Sequence, residues 1–133
     1  MSSFIATVSQ IQHHQNLHLV KFDYEGESLT MLSLELPSNI EVKTKVKLCI
    51  KPTDLYISKK NTSYLSIPNK LPTHIINITH GKLLSSIKLK YKNTIFEVIT
   101  ARQSILEENY SIGENVLAWM SESDLFISEV LDA

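Results

Sequence analysis

Val42, Thr44, Val46, Leu48 and Ile50 alternate with Lys43, Lys45 and Lys47, the pattern of a strand with one face in a core and one in water. Similar runs recur along the chain. Ile5 to Ile11 opens with β-branched residues, and after the polar break His13-His14-Gln15-Asn16 the stretch Leu17 to Tyr24 alternates as a half-buried strand. Glu25-Gly26-Glu27 turns the chain. Ser28 to Leu36 is a third strand, ended by Pro37-Ser38-Asn39, which removes a ladder donor and favours a turn. The alternating lysine run is the fourth. Lys51-Pro52-Thr53-Asp54 breaks it, Leu55-Tyr56-Ile57 makes a short fifth strand, and Lys59 to Leu65 reads as a polar connector.

The pattern then starts again. An offset of 67 residues lays Val8 on Ile75, Ile11 on Ile78, Leu17 on Leu84, Val20 on Ile87, Phe22 on Leu89, Tyr24 on Tyr91 and Met31 on Val98. Near the end of each half the offset becomes 70, with Asp54-Leu55-Tyr56-Ile57-Ser58 over Asp124-Leu125-Phe126-Ile127-Ser128, so the second copy carries three extra residues between Val98 and Val116. We read a duplication joined at Ser66-Ile67-Pro68-Asn69-Lys70-Leu71-Pro72, giving lobes at 1–65 and 66–133. Halves of about 65 residues lie near the lower limit for an independent core, so they are expected to pack on each other.

In the second half the strands are Thr73 to Thr79, Leu84 to Tyr91 and Thr94 to Thr100, with turns at His80-Gly81-Lys82 and Lys92-Asn93. Ser104-Ile105-Leu106-Glu107 fits a helix-capping box, Gly113 lies where a short helix would stop, and the extra residues supply about one to two turns. Val116 to Met120 and Asp124 to Ile127 then close this copy as their counterparts close the first. Five short strands per unit, wet on one face, point to a small antiparallel barrel, of which the OB-fold is the five-stranded kind. A sandwich made by both halves together fits the periodicity equally.

Thirteen basic and fourteen acidic residues leave a formal net charge of −1, so nothing draws the chain to nucleic acid or to an anionic membrane, and any bound anion must be held locally. No run of about 18 apolar residues exists, and Met-Ser-Ser-Phe-Ile lacks the blocks of a secretion signal; the expectation is a soluble cytoplasmic protein without membrane insertion. The one cysteine, Cys49, reads as a small buried side chain. Three glycines and four prolines leave no long flexible linker.

Candidate chemistry is sparse. No nucleophile, base and orienting group come together, so the chain is not expected to be an enzyme. His13, His14 and His18 resemble metal ligands in type, but no cysteine or carboxylate cluster joins them, and the reading is solvated turn histidines with no metal. Glu107 and Glu108 are adjacent and point apart on a helix. Trp119, Tyr24 and Tyr91 could stack bases, a role the balanced charge argues against.

Three stretches carry a family resemblance. Ser66-Ile67-Pro68-Asn69-Lys70-Leu71-Pro72 resembles the Ser-x-x-Asn-x-Leu opening of molybdate-binding Mop (molbindin, TOBE) domains. Val46-Lys47-Leu48-Cys49-Ile50-Lys51-Pro52-Thr53-Asp54-Leu55 is similar to the Val-x-Leu-x-Ile-Lys/Arg-Pro-x-Asp-Val segment of TOBE domains. Ile99-Thr100 through Ser104, then Ile112-Gly113-Glu114-Asn115-Val116, resembles the Ile-Thr-x-x-Ser, Leu-x-x-Gly-x-x-Val run. Their order covers nearly the whole chain and is similar to the regulatory C-terminal region of the molybdate-import ATPase, although nothing here matches the nucleotide-binding Gly-x-x-x-x-Gly-Lys-Ser/Thr.

The resemblance implies an all-β chain of two tandem OB-like barrels with one short helix in the second, forming a dimer or higher homo-oligomer. It implies molybdate or tungstate as ligand where units meet, no organic cofactor, and the importer ATPase as a further partner. A tetrahedral dianion can be held by hydroxyls, amides and one or two cations without a metal. On the matching positions, Ser66 and Asn69 would offer donors at the start of the second barrel, with Lys70 beside them in the same motif. Thr100, Arg102 and Ser104 would lie at the entry to the helix, and Lys51 would supply charge.

This sequence also departs from the pattern. Pro68 stands where the family often has arginine, Ser121-Glu122 where the second copy should repeat the lysine, and Thr100 and Ser104 are one residue further apart than usual. Glu122 beside an oxyanion would repel it, which puts at least one site in doubt. Plainer roles compete: Ser104 as a helix cap, Ser66 and Asn69 as turn residues, Lys51 as a solvated lysine. The expected function is storage of molybdate or tungstate, or reporting of its level to the importer; the alternative is a module that docks on the transporter ATPase without binding an oxyanion.

Overall fold

The computed structural model describes residues 1–131. In chain order its strands are β1 (Ser2–His14), β2 (Leu17–Tyr24), β3 (Glu27–Ser33), β4 (Lys45–Ile50), β5 (Leu55–Lys59), β6 (Asn69–His80), β7 (Leu84–Tyr91), β8 (Thr94–Ala101), β9 (Asn115–Met120) and β10 (Phe126–Leu131). A 3-10 turn spans Pro52–Asp54, and the one α-helix among the described residues is α1 (Arg102–Glu108). The strands form two antiparallel five-stranded sheets, ordered β10-β4-β1-β2-β3 and β5-β9-β6-β7-β8, each curled into a small OB-like barrel. The period-two alternation is what fixes the inner faces. Val20, Phe22 and Tyr24 of β2 and Ile87, Leu89 and Tyr91 of β7 are buried, and each fully buried large apolar side chain contributes about 1.5–3 kcal/mol.

In both sheets one long strand bends to serve two neighbours. β1 pairs with β4 over Ser2–Thr7 and with β2 over Thr7–His14, and its register slips between Val8 and Gln10. β6 does the same between Ile75 and Asn77. An extra residue at such a bulge bends the strand and raises its twist, which closes a barrel from so few strands. The bend is tied to the turn before the next strand: Val8 exchanges hydrogen bonds with Thr44 O and Lys43 N, both 2.8 Å, as Ile75 does with Glu114 O at 2.9 Å and Gly113 N at 2.7 Å. That turn moves the start of β4 to Lys45 from the expected Val42.

The closing segments differ from the sequence expectation. β5 leaves the first half and pairs with β9, and β10 leaves the second half and pairs with β4, so each barrel is completed by a strand from the other half. Lys59 at the end of β5 is pinned by a 2.8 Å ion pair to Glu114, whose carboxyl the lysine hydrogen bond holds below its usual range. Two local details also differ. α1 starts from Ala101 with no side-chain cap, so Ser104 lies inside the first turn and the expected capping box is absent. The helix ends at Asn109 in the left-handed region (φ 53), before Gly113.

The barrels share one core. The Phe4 ring meets Tyr24 at 4.4 Å and Phe96 of the other lobe at 5.4 Å, and Tyr24 meets Tyr91 at 5.4 Å. Tyr24 donates to the Thr94 hydroxyl (2.6 Å) and Tyr91 to Glu25 O (2.8 Å). Burial pushes both phenol pKa values above the ordinary one, which keeps them protonated donors. Cys49 is free and buried.

Candidate functional site

Residues 60–68 link β5 to β6 within the second barrel as a mostly exposed connector and enter β6 at Asn69. The register of β6 against β9 sets Asn69 opposite Met120 and Lys70 opposite Trp119. The Lys70 ammonium therefore lies 5.7 Å from the centre of the indole ring, which is itself fixed by a 2.8 Å bond from its Nε1 to the Ser58 hydroxyl. Ser63, Tyr64, Leu65, Ser66, Ile67 and Pro68 form the other wall of an open cleft of about 470 Å³ with Lys70, Trp119 and Glu122. Its polar groups are hydroxyls, one ammonium and one carboxylate. The hydroxyls and Lys70 suit an anion; Glu122 opposes one.

Asn69 takes a different part. Its side chain is wholly buried, with Oδ1 accepting from Thr30 N at 2.7 Å and Nδ2 donating to Thr30 O at 2.8 Å. The amide is used in bridging the two barrels. Wholly buried, it presents no side-chain donor to the cleft.

Thr100 and Ser104 meet in a second, smaller cleft of about 240 Å³, walled by Tyr56, Glu107, Glu108 and Tyr110. Burial, with Glu108 and Glu114 nearby, pushes the Tyr110 hydroxyl up to about 12. Two carboxylates make this cleft unfavourable for a dianion. Arg102 is exposed in neither cleft, and its backbone amide is already bonded to Leu83 O at 2.9 Å. Lys51 precedes the 3-10 turn, exposed, near Asp124. Burial raises the Asp124 carboxyl pKa, Asp54 raises it further and Lys51 lowers it, so the Lys51 charge acts on carboxylates at the crossover. Of the seven candidates, then, the fold brings together Ser66 with Lys70, and Thr100 with Ser104.

Solved structures share this architecture. The chain is similar to the cytoplasmic molybdate-binding protein ModG, in a PEG-grown crystal form with molybdate bound. The TM-score is 0.86 at 19% identity, covering 94% of this chain and 93% of that one. At that identity the likeness establishes the fold. No protein-family model matches the chain, and comparison with curated proteins gives no match.

On sequence, Ser63 and Tyr64 read as connector and Trp119 is weighed only for base stacking, so none of the three is among the expected site residues. The signal for Tyr64 was a large aromatic in an otherwise polar stretch beside the junction motif; it is 79% exposed. Trp119 is both buried and a wall of the cleft: it alternates with the core-facing Ala118 and Met120, so its ring lies on the outer face of β9 between Tyr56 and Lys70, covered by the connector.

Proposed function

We propose that this chain binds a tetrahedral dianion of the molybdate or tungstate class in the cleft shared by Ser66, Lys70 and Trp119, as a binding protein rather than an enzyme. The observation that carries the reading is the end-to-end likeness to a molybdate-binding protein. The chemistry of the cleft agrees with it. Hydroxyls and one ammonium hold an oxyanion without a metal, and a charge-assisted hydrogen bond from Lys70 is worth about 1.5–3 kcal/mol. Asn69 acts in this site through its backbone position, its side chain being committed to Thr30.

The cleft is open and roomy for a five-atom anion, so a second copy of the chain completes it, and the protein works as a homo-oligomer. Thr100, Arg102, Ser104 and Lys51 belong to other contacts of that assembly. Its place is the cytoplasm, where it stores the oxyanion or reports its level to the importer ATPase. No helix of the described residues is long and apolar enough to cross a membrane.

Isothermal titration with molybdate, tungstate and sulfate tests this. Molybdate and tungstate should give heat and sulfate much less; Lys70→Ala should weaken binding about tenfold or more, and Glu122→Gln should strengthen it. No heat with any of the three at high protein concentration would overturn the reading in favour of a docking module.

A further inference from the structure

At the tip of the β1–β2 hairpin His13 and His18 stand directly opposite each other in register, so their side chains leave the same face. The two-residue turn Gln15-Asn16, with Gln15 at φ 56, holds that register. The rings meet edge to face at 88° with centroids 4.7 Å apart, and the two Nδ1 atoms approach to 2.6 Å. Two imidazole nitrogens at that distance share one proton: one ring donates it and the other accepts. Both Nδ1 atoms therefore converge on one point at the exposed tip of the hairpin.

The second barrel supplies an internal contrast. The equivalent residues, 67 further along, are His80 and Ser85, where the ring Nδ1 meets a hydroxyl at 2.6 Å. A neutral hydroxyl is a poor ligand for a transition metal, whereas a second imidazole is a good one. Among the described residues, the imidazole pair belongs to the first lobe and has no counterpart at the equivalent positions of the second.

We propose that His13 Nδ1 and His18 Nδ1 bind one divalent transition-metal ion, Cu²⁺ in preference to Ni²⁺ or Zn²⁺. Metal–imidazole bonds of about 2.0–2.1 Å need the nitrogens about 2.9–3.3 Å apart, so the rings part by less than an ångström. They are at an exposed hairpin tip, where that movement is cheap. On binding, the shared proton passes to Nε2 of the ring that carried it, so both rings stay neutral and no charge is lost. No group of three or more His, Cys, Asp or Glu side chains stands ready for a metal among the described residues, so water fills the remaining positions and the ion exchanges readily. Two imidazoles with water suit the tetragonal preference of Cu²⁺, and the affinity order of divalent ions puts it first. His14 belongs to the opposite face of the same hairpin and takes no part.

The test is titration of the full chain with copper(II) chloride alone in a non-chelating buffer, followed by calorimetry and by the electron-paramagnetic-resonance spectrum of nitrogen-bound copper. One equivalent should bind, with the spectrum of two nitrogen ligands. His18→Ser, which copies the second lobe, and His13→Gln should each weaken binding at least tenfold, with thermal unfolding unchanged to show the fold is intact; His14→Gln should have no effect. Absence of binding, its survival in His18→Ser and His13→Gln, or an equal loss in His14→Gln would overturn the assignment. Neither outcome depends on molybdate, so this site and the oxyanion cleft stand or fall separately.

Discussion

In the first lobe the turn before β4 is carried by Lys43 at φ 80; in the second, the turn before β9 is carried by Gly113 at φ 89. Both hand a backbone amide to the bulged strand beside them. The same holds at the seam, where Thr30 N reaches Asn69 Oδ1 and, with the lobes exchanged (Glu97 is 67 residues after Thr30, Ser2 is 67 before Asn69), Glu97 N reaches Ser2 Oγ at 3.1 Å. Backbone geometry recurs while the side chain supplying it changes. A bulge, a left-handed turn and a cross-lobe acceptor are what closing and pairing two small barrels demands, and several residue types can meet each demand. The lobes part company elsewhere: α1 stands over the second lobe with Ile105 buried, whereas residues 34–44 cover the first with Leu36 and Ile40.

The strongest way to break the comparison is to separate the lobes. Residues 1–65 alone would leave β4 without β10 and β5 without β9, exposing Leu55, which is 2% exposed in the whole chain. Neither 1–65 nor 66–133 should give a cooperative unfolding transition by circular dichroism, and an equimolar mixture should recover one. A cooperative transition for either fragment by itself would show that the exchanged strands are dispensable.

That exchange also marks where the sequence stops being legible. Strand positions follow from alternation, because one buried face permits only one phase. The partner of a strand does not, since Leu55-Tyr56-Ile57-Ser58 and Leu125-Phe126-Ile127-Ser128 carry the same pattern and either fits either sheet. The candidate site divides in the same way. Ser66 and Lys70 are neighbours in sequence and share a cleft, but the use of the Asn69 side chain depends on Thr30, 39 residues earlier, and no local pattern reports it. Thr100 and Ser104 line one cleft without Arg102, and Glu107 and Glu108 come with them because one short helix carries all but Thr100.

A smaller effect sharpens the seam comparison. Asn69 makes two bonds to Thr30 from a wholly buried position, whereas Ser2 makes one to Glu97. Removing Asn69 leaves both backbone groups of Thr30 unpaired, at about 1–3 kcal/mol each when buried. Asn69→Ala should therefore cost about 2–4 kcal/mol in denaturant unfolding and Ser2→Ala about 1 kcal/mol. Asn69→Ser, which makes the second lobe imitate the first, should fall between. Equal costs for the two alanine variants would mean that the bridges are equivalent despite their different bonding.

The smallest expected change concerns the paired turns. A left-handed backbone costs a residue with a Cβ about 1–2 kcal/mol, while glycine there loses about 0.5–1 kcal/mol of chain entropy on folding. Lys43 bears the first cost and Gly113 the second, and a Cβ built on Gly113 meets nothing within 4 Å, so that position is free of steric conflict. Lys43→Gly should accordingly stabilise the protein by about 0.5–1 kcal/mol, a rise in Tm of about 2–4 °C. Gly113→Lys should destabilise it by a similar amount, and the double variant, which only exchanges the two residues, should return near the starting stability. The turns share no hydrogen-bond partner, Lys43 serving Val8 and Gly113 serving Ile75, so additivity is part of the expectation. If Gly113→Lys costs several times what Lys43→Gly gains, the lysine side chain in the first lobe must be recovering energy through contacts of its own, and the two turns are alike in backbone only.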